Sequence, residues 1–320
     1  MLKWIAAAIG VLGAWSAQAQ APGQDWPRRT IRVISPYAPG GAADATARLA
    51  AQEIQRILGQ TVVVENRSGA SGTIGGEVVR QAAPDGYTLL ASPSSHILAR
   101  HVMRAAPYDP QADFTPVSRF AEGPMLVLVN PSLPANTIAQ ALPLLRGNPA
   151  AFTFGLGGLG ATSHLAVLQF VRQAAVDLSM VAYRGSGPAL TDLVSGNIQL
   201  MIDPGGFPLV QDGRLKALAI TGARRHPLLP GVPTAAESGM PGLEMVGWYG
   251  LWGPKDLPAP IVARLNAAMT EAVQQPAVVQ RLYALGLVPA SGTPAAFVQY
   301  IQEDLSRSAT LLREAHYQPE

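Results

Sequence analysis

The sequence predicts an α/β protein of two lobes, each a mixed sheet flanked by helices. Runs of apolar, β-branched residues alternate with helical patterns along the chain, which is typical of strands joined by helical crossovers. A second set of such elements starts near residue 125 and repeats the first set in outline. The chain has 320 residues, enough for about two domains. We therefore expect two lobes joined by crossing strands.

The first set opens with a strand that ends in a turn at residues 36–41, directly before an alanine-rich helix. A third strand ends in the polar loop 92–96. The predicted strands are residues 30–35, 61–66 and 87–91, and the predicted helices are residues 42–58 and 76–82.

The second set contains two further glycine-rich turns, each directly before a helix. The predicted strands are residues 125–130, 152–154, 178–183, 198–202 and 217–221, and the predicted helices are residues 162–173 and 188–195. A strand at 248–253 then returns the chain to the first lobe, where amphipathic helices are predicted at 260–274, 277–285 and 294–314. The predicted division is residues 28–123 with 248–320 for the first lobe, and 124–247 for the second.

Composition narrows the class of protein. Hydrophobic residues make up 48% of the chain and charged residues 14%, so a large core can form and general disorder is not expected. The 23 basic and 21 acidic residues lack the basic excess of a nucleic-acid-binding protein. The chain has no cysteine, which excludes disulfides, thiolate metal sites and thiol nucleophiles.

The first 21 residues have the form of an export signal. Lys3 precedes an apolar run at residues 4–15, and small residues follow in the pattern that signal peptidase cleaves. This run is too short to span the roughly 30 Å of bilayer hydrocarbon. The sequence predicts a signal peptide at residues 1–19, cleaved near Ala19 or, alternatively, Ala21. The mature protein is expected to be soluble and, in a Gram-negative host, periplasmic.

Three segments place a glycine-rich turn between a strand and a helix. These segments are residues 36–41, 155–161 and 184–187. Glycine lets a ligand approach the backbone closely, and the start of a helix offers unpaired N–H groups and the positive end of the helix dipole. Such turns suit a carboxylate or phosphate without arginine, although one such turn alone is common in α/β proteins. Three of them, spread over both lobes, favour an anion-binding site.

Patterns for other chemistry are incomplete. Gly155, Gly157 and Gly160 match the dinucleotide fingerprint, but the acid at the expected spacing, Asp177, precedes the next strand instead of ending it. The histidines show no metal-ligand spacing, and no serine lies in a nucleophile elbow. His164, just inside a predicted helix, is more consistent with a structural or solvent-facing role. We expect no cofactor, no metal and no catalytic residue.

Two acids lie beside the predicted anion sites. Asp44 falls in the first turn of helix 42–58, where a carboxylate caps free N–H groups and interacts favourably with the helix dipole. Asp203 follows a strand and precedes Pro204, so its side chain is expected at the cleft between the lobes. There it either accepts a hydrogen bond from a ligand ammonium or a water, or simply forms the turn.

At these same positions the sequence resembles the Bug-type solute receptors, the substrate-binding family of tripartite tricarboxylate transporters. The matching segments are short, but they follow one another in order from about residue 30 to about residue 300. They are Tyr37-Ala38-Pro39-Gly40-Gly41 with Asp44 and Arg48, Val64-Glu65-Asn66-Arg67 with Gly69, Asp85-Gly86-Tyr87-Thr88-Leu89, Ser163-His164-Leu165-Ala166, Tyr183-Arg184-Gly185 with Gly187-Pro188-Ala189, Pro233-Thr234 with Glu237, and Trp248 with Gly250.

The resemblance implies a two-lobed periplasmic binding fold of type II, with two crossings between the lobes. It also implies that backbone N–H groups of residues 37–41 hold a ligand carboxylate like a pincer, that ordered waters bridge ligand and protein, and that loops of the second lobe complete the site. The ligand-contacting residues expected on this basis and from the turns above are Tyr37, Ala38, Gly40, Gly41, Asp44, Ser92, Ser94, Thr162, Ser163, Tyr183, Gly185, Ser186 and Asp203.

The expected function is therefore capture of a small carboxylate-bearing metabolite, an amino acid or an organic acid, by a monomeric receptor. The family resemblance implies delivery to the membrane permease of a tripartite tricarboxylate transporter; the alternative is a sensory co-receptor that acts with a signalling protein. The hypothesis of an exported hydrolase or transferase is disfavoured, because the sequence shows no nucleophile and no metal site. Asp203 slightly favours ligands with a hydrogen-bond-donating or positive group, and the scarcity of lysine and arginine in the turns disfavours a highly charged tricarboxylate.

Overall fold

The computed structural model describes residues 26–319, so the predicted signal peptide lies outside the described residues. Within residues 26–319 the strands form one six-stranded and one five-stranded sheet, and each sheet contains both parallel and antiparallel pairs. Helices flank both sheets. The predicted two-lobed α/β fold is confirmed.

The six-stranded sheet forms the first lobe. Its strands are β1 (Ile31–Ser35), β2 (Val62–Asn66), β3 (Thr88–Pro93), β4 (Phe114–Pro124), β10 (Val246–Pro254) and β11 (Val288–Pro289). Their order is β11-β4-β10-β3-β1-β2. Strand β1 pairs in parallel with β2 and β3, whereas β10 runs antiparallel between β3 and β4. Because β1 is covered on both faces, four of its five residues are buried and only Arg32 is partly exposed.

Six helices pack on this sheet within the described residues. They are α1 (Ala42–Leu58), α2 (Thr73–Arg80), α3 (Ala99–Val102), α8 (Ala259–Ala272), α9 (Pro276–Ala284) and α10 (Pro294–Glu314). Helix α1 buries small residues and Ile54 against the sheet and α8. It ends at Gly59, whose φ of 69° is the left-handed conformation that commonly terminates a helix.

The five-stranded sheet forms the second lobe. Its strands are β5 (Leu126–Val129), β6 (Thr153–Leu156), β7 (Ser179–Ala182), β8 (Leu200–Asp203) and β9 (Lys216–Ile220), in the order β7-β6-β8-β5-β9. Its helices are α4 (Ile138–Gly147), α5 (Thr162–Ala174), α6 (Ser186–Ser195) and α7 (Phe207–Gln211). Strands β5 and β8 are fully buried, so the middle of this sheet is the centre of the lobe's core.

The chain passes between the two sheets twice, once from β4 into β5 and once between β9 and β10. These crossings bring the loops after β1, β6 and β7 to the surface between the lobes. We propose lobe boundaries at residues 28–123 with 248–320 and at 124–247, because the crossings lie close to positions 124 and 247. Helix α10 also reaches across the boundary, since Glu314 pairs with Arg172 of α5 at 3.1 Å.

Several elements differ from the sequence expectation. Strand β4 and helix α4 were not predicted, because β4 contains Pro116 and ends in Gly123-Pro124, and α4 contains Pro143 in its interior. Helices α3 and α7 and strand β11 are too short to produce a clear pattern. Strand β3 extends two residues beyond the predicted 87–91, so Ser92 lies in the strand and not in a loop. Among the helices of residues 26–319, none is long and apolar enough to cross a bilayer.

Candidate ligand-binding site

The first turns of three helices meet at one cavity between the lobes. Helix α1 contributes Ala43, α5 contributes Thr162 and Ser163, and α6 contributes Ser186. Each of these helices is at least ten residues long, so each places the positive end of its dipole near the cavity. The volume of the cavity is about 40 Å³. On the same scale, a single water molecule needs about 10–15 Å³. The cavity suits a small anion.

Side chains from both lobes and from the crossing strand β10 close the cavity. Its described lining residues include no lysine, arginine or histidine, and Asp203 is the one acid among them. The full lining is Tyr37, Ala43, Pro93, Ser94, Met125, Gly157, Ala161, Thr162, Ser163, Ser186, Asp203, Pro204, Gly247, Trp248 and Tyr249.

Asp203 forms the acidic part of the wall. It ends the buried strand β8, and its side chain is 2% exposed. One carboxylate oxygen accepts a hydrogen bond from the Ser186 hydroxyl at 2.5 Å, and the other accepts one from the Gly205 N–H at 2.8 Å. Burial raises the pKa of Asp203 to about 6, although both hydrogen bonds oppose the rise. Asp203 therefore forms the turn with Gly205 and also lines the cavity.

Hydroxyl groups join the lobes at the cavity. The Ser94 and Thr162 hydroxyls lie 2.8 Å apart, and the Thr162 N–H donates to Ser94 Oγ at 3.3 Å. Beside them, the Leu159 N–H of the second lobe donates to Ser71 Oγ of the first at 3.2 Å. The lobes are therefore in contact, and the structure is a closed one.

Tyr37 is held rigidly in the first-lobe wall. Its hydroxyl lies 3.0 Å from the Ser71 carbonyl and 2.5 Å from Ser95 Oγ. Because a carbonyl only accepts, Tyr37 donates to Ser71 and accepts from the Ser95 hydroxyl. Burial raises the pKa of Tyr37 to about 12, so the phenol stays neutral. Its ring also lies against Gly158 of the second lobe, where a β-carbon would come within 2.9 Å of the ring.

Glycines allow the two backbones to touch. A β-carbon on Gly187 would lie 2.3 Å from the Pro39 carbonyl oxygen and 3.2 Å from Gly40 Cα. On the other side of this contact, a β-carbon on Gly41 would lie 3.1 Å from the Gly187 nitrogen. The Ala38 N–H crosses the same boundary and donates to the Arg184 carbonyl at 2.8 Å. Closure in this form therefore leaves no room for a side chain at Gly187 and leaves little room for one at Gly41.

The structure modifies the expected pincer of N–H groups at residues 37–41. The Ala38 N–H already donates to Arg184, and the Gly40 N–H points at a carboxylate oxygen of Asp44 at 3.4 Å. Gly40, Gly41 and Asp44 line a separate groove behind the closed contact, not the cavity described above. This loop was expected to present its N–H groups to ligand, but in the closed form its neighbours in the protein take two of them.

Asp44 is held by hydrogen bonds within the first lobe. Its carboxylate is nearly buried and accepts hydrogen bonds from Asn66 at 2.8 Å and from Arg48 at 3.0 Å. Asn66 in turn donates to the Tyr37 carbonyl at 2.9 Å. Asp44 therefore fixes the shape of the loop between β1 and α1.

Three other predicted residues lie outside the cavity. The Ser92 hydroxyl donates to its neighbouring Pro93 carbonyl, and Ser92 lines a small void beside Thr46 instead. Tyr183 donates to Asp192 at 2.7 Å. Gly185 packs against Ala38, since a β-carbon there would lie 3.0 Å from the Ala38 nitrogen. Of the thirteen predicted residues, the cavity brings together Tyr37, Ser94, Thr162, Ser163, Ser186 and Asp203.

Sequence reasoning missed the wall that β10 supplies. Trp248 is 1% exposed, and its indole N–H donates to Asp304 at 2.9 Å. Tyr249 is buried beside Asp203, and burial raises its pKa well above its ordinary value. The signals for this wall were the predicted crossing at residues 248–253 and the family resemblance at Trp248 and Gly250, and neither indicated contact with a ligand. Met125, at the other crossing, was missed for the same reason.

His164 is structural, as the sequence favoured. It is 1% exposed, and its Nδ1 accepts a hydrogen bond from the Gly160 N–H at 3.1 Å. A backbone N–H can only donate, so this ring nitrogen carries no proton and the imidazole is neutral. Burial lowers the pKa of His164 to about 4. In the described part of the chain, no group of three or more histidines and acids is placed to hold a metal ion.

Comparison with known proteins identifies the family. Residues 46–316 match the tripartite tricarboxylate transporter family receptor, TctC. The chain belongs to this family. It is also 36% identical to the protein BugT of Bordetella pertussis over 96% of both chains. The resemblance to Bug-type receptors is thereby confirmed.

Solved structures of similar proteins share this fold. The periplasmic binding protein BugD is 31% identical, with a TM-score of 0.89 over 92% of this chain and 100% of its own. An R. palustris protein solved with adipate is 34% identical, with a TM-score of 0.89 over the same shares. MatC from Rhodopseudomonas palustris, solved with bound malate, is 35% identical, with a TM-score of 0.86 over 90% of this chain and 100% of its own.

Proposed function

We propose that this chain is a periplasmic receptor that closes its two lobes on a small carboxylate-bearing metabolite, an organic acid or an amino acid. The observation that carries the proposal is the convergence of the first turns of α1, α5 and α6 on one cavity between the lobes. Hydrogen bonds to a charged group each contribute about 1.5–3 kcal/mol, and a helix terminus adds roughly 0.3–1 kcal/mol. Four or five such bonds reach about −8 kcal/mol, which corresponds to a dissociation constant near 1 μM.

Binding, not turnover, is the proposed activity. The polar groups of the cavity bond to one another, as Ser94 does with Thr162 and Ser186 does with Asp203. The described lining residues include no histidine that could act as a base for either serine. Relatives of this chain have been solved with adipate and with malate, which supports a carboxylate as the ligand.

A thermal-shift screen of the mature chain, starting at Gln20, tests the proposal. The panel contains malate, adipate, citrate, nicotinate and acidic and neutral amino acids, with NAD as a control. The protein is first unfolded and refolded to remove any ligand retained during purification. A ligand at about 100 times its dissociation constant adds about 2.7 kcal/mol to the free energy of unfolding, which raises the melting temperature by a few degrees.

The expected result is a shift confined to one group of carboxylates. Gly187→Ala, which should hold the lobes apart, is expected to lose the shift, whereas Gly147→Ala, where a β-carbon meets nothing within 4 Å, should keep it. No shift with any carboxylate, after refolding, would contradict the proposal.

We further propose that the closed receptor delivers its ligand to the membrane permease of a tripartite tricarboxylate transporter and acts as a monomer. Membership of the receptor family supports delivery. Uptake of radiolabelled ligand by cells with and without this chain tests it, and uptake should fall when the receptor is absent. Unchanged uptake together with a lost transcriptional response to the ligand would favour the sensory role instead.

A further inference from the structure

The cavity proposed to bind an anion contains a buried acid and no side-chain cation. Asp203 is 2% exposed, and the described lining residues include no lysine, arginine or histidine. A carboxylate ligand that enters this small cavity brings a second negative charge next to an acid that is almost fully buried. Two carboxylates in such a site do not both stay ionised, because each favours the protonated form of the other.

We infer that Asp203 takes up one proton when a carboxylate enters the cavity, and that the Ser186 hydroxyl then turns from Asp203 to the ligand. This inference rests on the proposed function. It names the protein group whose protonation compensates for the negative charge of the ligand. The proton comes from solvent on binding and returns to solvent on release. No other bond is formed or broken in the protein.

The hydrogen bonds of Asp203 determine where the proton goes. Oδ1 accepts from the Gly205 N–H, which has no lone pair to offer, so Oδ1 stays an acceptor. Oδ2 faces the Ser186 hydroxyl at 2.5 Å, and a hydroxyl both donates and accepts. A proton on Oδ2 therefore donates to Ser186 Oγ, which frees the Ser186 O–H for another acceptor. Ser186 itself lines the cavity, so that acceptor is the ligand carboxylate.

The surroundings of Asp203 offer little to offset a second negative charge. The paired strand β5 places Leu126 opposite Asp203. The other titratable side chains among the described lining residues are Tyr37 and, on β10, Tyr249. Burial raises the pKa of both phenols, so neither carries charge at neutral pH. Behind Gly205, the separate groove is lined by one acid, Asp44, and one base, Arg214.

The first turns of α1, α5 and α6 are the remaining electrostatic partners, and each favours an anion by only a fraction of an elementary charge. Burial already raises the pKa of Asp203 to about 6 without ligand. A further rise caused by the ligand's charge moves this pKa toward or above neutrality. The protonated form therefore becomes accessible at the pH at which the receptor works.

The main alternative is that Asp203 stays ionised and accepts a hydrogen bond from a ligand ammonium. Each carboxylate oxygen already accepts one hydrogen bond inside the protein, so the structure does not require that donor. The two possibilities predict opposite trends with pH. Proton uptake weakens binding as pH rises, whereas an ammonium partner strengthens binding as pH rises past the pKa of Asp203.

Calorimetric titration of the full mature chain tests the inference. Malate and adipate are titrated first, from pH 6 to pH 8.5, where their carboxyl groups are largely ionised. The other carboxylates of the panel follow over the same range, except citrate, whose last carboxyl group still titrates in the acidic part of it. Because the pKa in the complex lies above that of the free protein, affinity is constant below the free-state pKa. It then falls by up to about tenfold per pH unit until the pKa of the complex is passed. Buffers of different ionisation enthalpy should report uptake of close to one proton near pH 7.

Asp203→Asn mimics the protonated acid, because its carbonyl accepts from Gly205 and its NH₂ donates to Ser186. We expect this variant to bind with little dependence on pH and more tightly than the native chain at pH 8.5. The matched control Asp177→Asn, at an exposed position, should keep the native pH dependence. If the Asp203 variant does not fold, proton uptake by the native chain still decides the question.

Affinity that does not change with pH, or that rises with pH, together with no proton uptake, would overturn the inference and leave the proposed function intact. If no carboxylate of the panel binds at any pH, the proposed function itself fails and the inference fails with it.

Discussion

The glycine-rich turn of the first lobe and those of the second share one sequence pattern but serve different purposes in the closed protein. At residues 38–41 the N–H groups of Ala38 and Gly40 meet acceptors within the protein, and the backbone packs against the other lobe. The turns before α5 and α6 instead place Ser163 and Ser186 in the cavity wall. A strand–glycine–helix pattern therefore predicts that N–H groups are available locally, while tertiary partners decide whether a ligand can reach them.

The largest expected effect concerns closure. In Gly187→Ala the added methyl group would lie 2.3 Å from the Pro39 carbonyl oxygen, so the lobes have to separate. Overpacking of this kind costs about 1–3 kcal/mol, and because the obstacle is backbone we expect the upper end, about 100-fold weaker binding. Calorimetry measures the dissociation constant, and small-angle scattering should show a more open chain.

Gly41→Leu tests the same contact from the first lobe, where the side chain would meet Ser186 and Gly187. It should abolish binding and leave the circular dichroism spectrum unchanged. Gly147→Ala serves as the control for both variants. Native affinity in Gly41→Leu would show that the first-lobe turn contributes neither closure nor contact.

A smaller effect is expected in the second-lobe wall. Ser186→Ala removes the hydroxyl that donates to Asp203 at 2.5 Å, and with it the group proposed to face the ligand. Binding should weaken about tenfold, because hydrogen bonds to charged groups contribute about 1.5–3 kcal/mol. The matched control is Ser195→Ala, whose exposed hydroxyl bonds only within its own helix. Equal affinities for the two variants would contradict the assigned role of Ser186.

The hydroxyl pair between the lobes should contribute less. Ser94→Ala and Thr162→Val each break the 2.8 Å contact that joins the lobes at the cavity. A neutral hydrogen bond nets about 1 kcal/mol, so each variant should bind about fivefold more weakly. Because the two hydroxyls are partners, the double variant should cost less than the sum of the two single variants. Strict additivity in this double-mutant cycle would mean that the two hydroxyls do not hold the lobes together as a pair.

The smallest effect is expected at Asp44. Asp44→Asn keeps the side-chain shape but weakens the ion pair with Arg48, which lies at 3.0 Å. Stability should fall by about 1 kcal/mol, as denaturant unfolding would measure, while the dissociation constant changes less than about twofold. A tenfold loss of affinity in Asp44→Asn would instead support direct contact between the first-lobe loop and the ligand.

Much of the fold was predictable because its signals are local. The buried strand β1, the alanine-rich face of α1 and the proline in the first turn of α6 each carry a pattern that fixes the element. Strand β4 has eleven residues, yet Pro116 and the terminal Gly123-Pro124 interrupt the sequence pattern by which a strand is predicted. Pairing with β10 stabilises β4, and a single stretch of sequence carries no signal for that partner.

Part of the candidate site was likewise predictable from local sequence, and part was not. Ser163 and Ser186 were predictable because their place at a helix start is a local property. The cavity wall at Trp248 and Tyr249 depends on how β10 crosses between the lobes. The hydrogen bonds that occupy the N–H groups of Ala38 and Gly40 depend on partners that lie close in the folded protein. These features come from tertiary structure, so the pattern of residues alone did not contain them.

A crystal structure of the mature chain with its tightest carboxylate tests the central claim most directly. We expect the lobes to be closed as described, with a ligand carboxylate within hydrogen-bonding distance of the first-turn N–H groups of α5 or α6 and of the Ser186 hydroxyl. A carboxylate bound instead in the groove lined by Gly41 and Asp44, or outside the space between the lobes, would contradict the account.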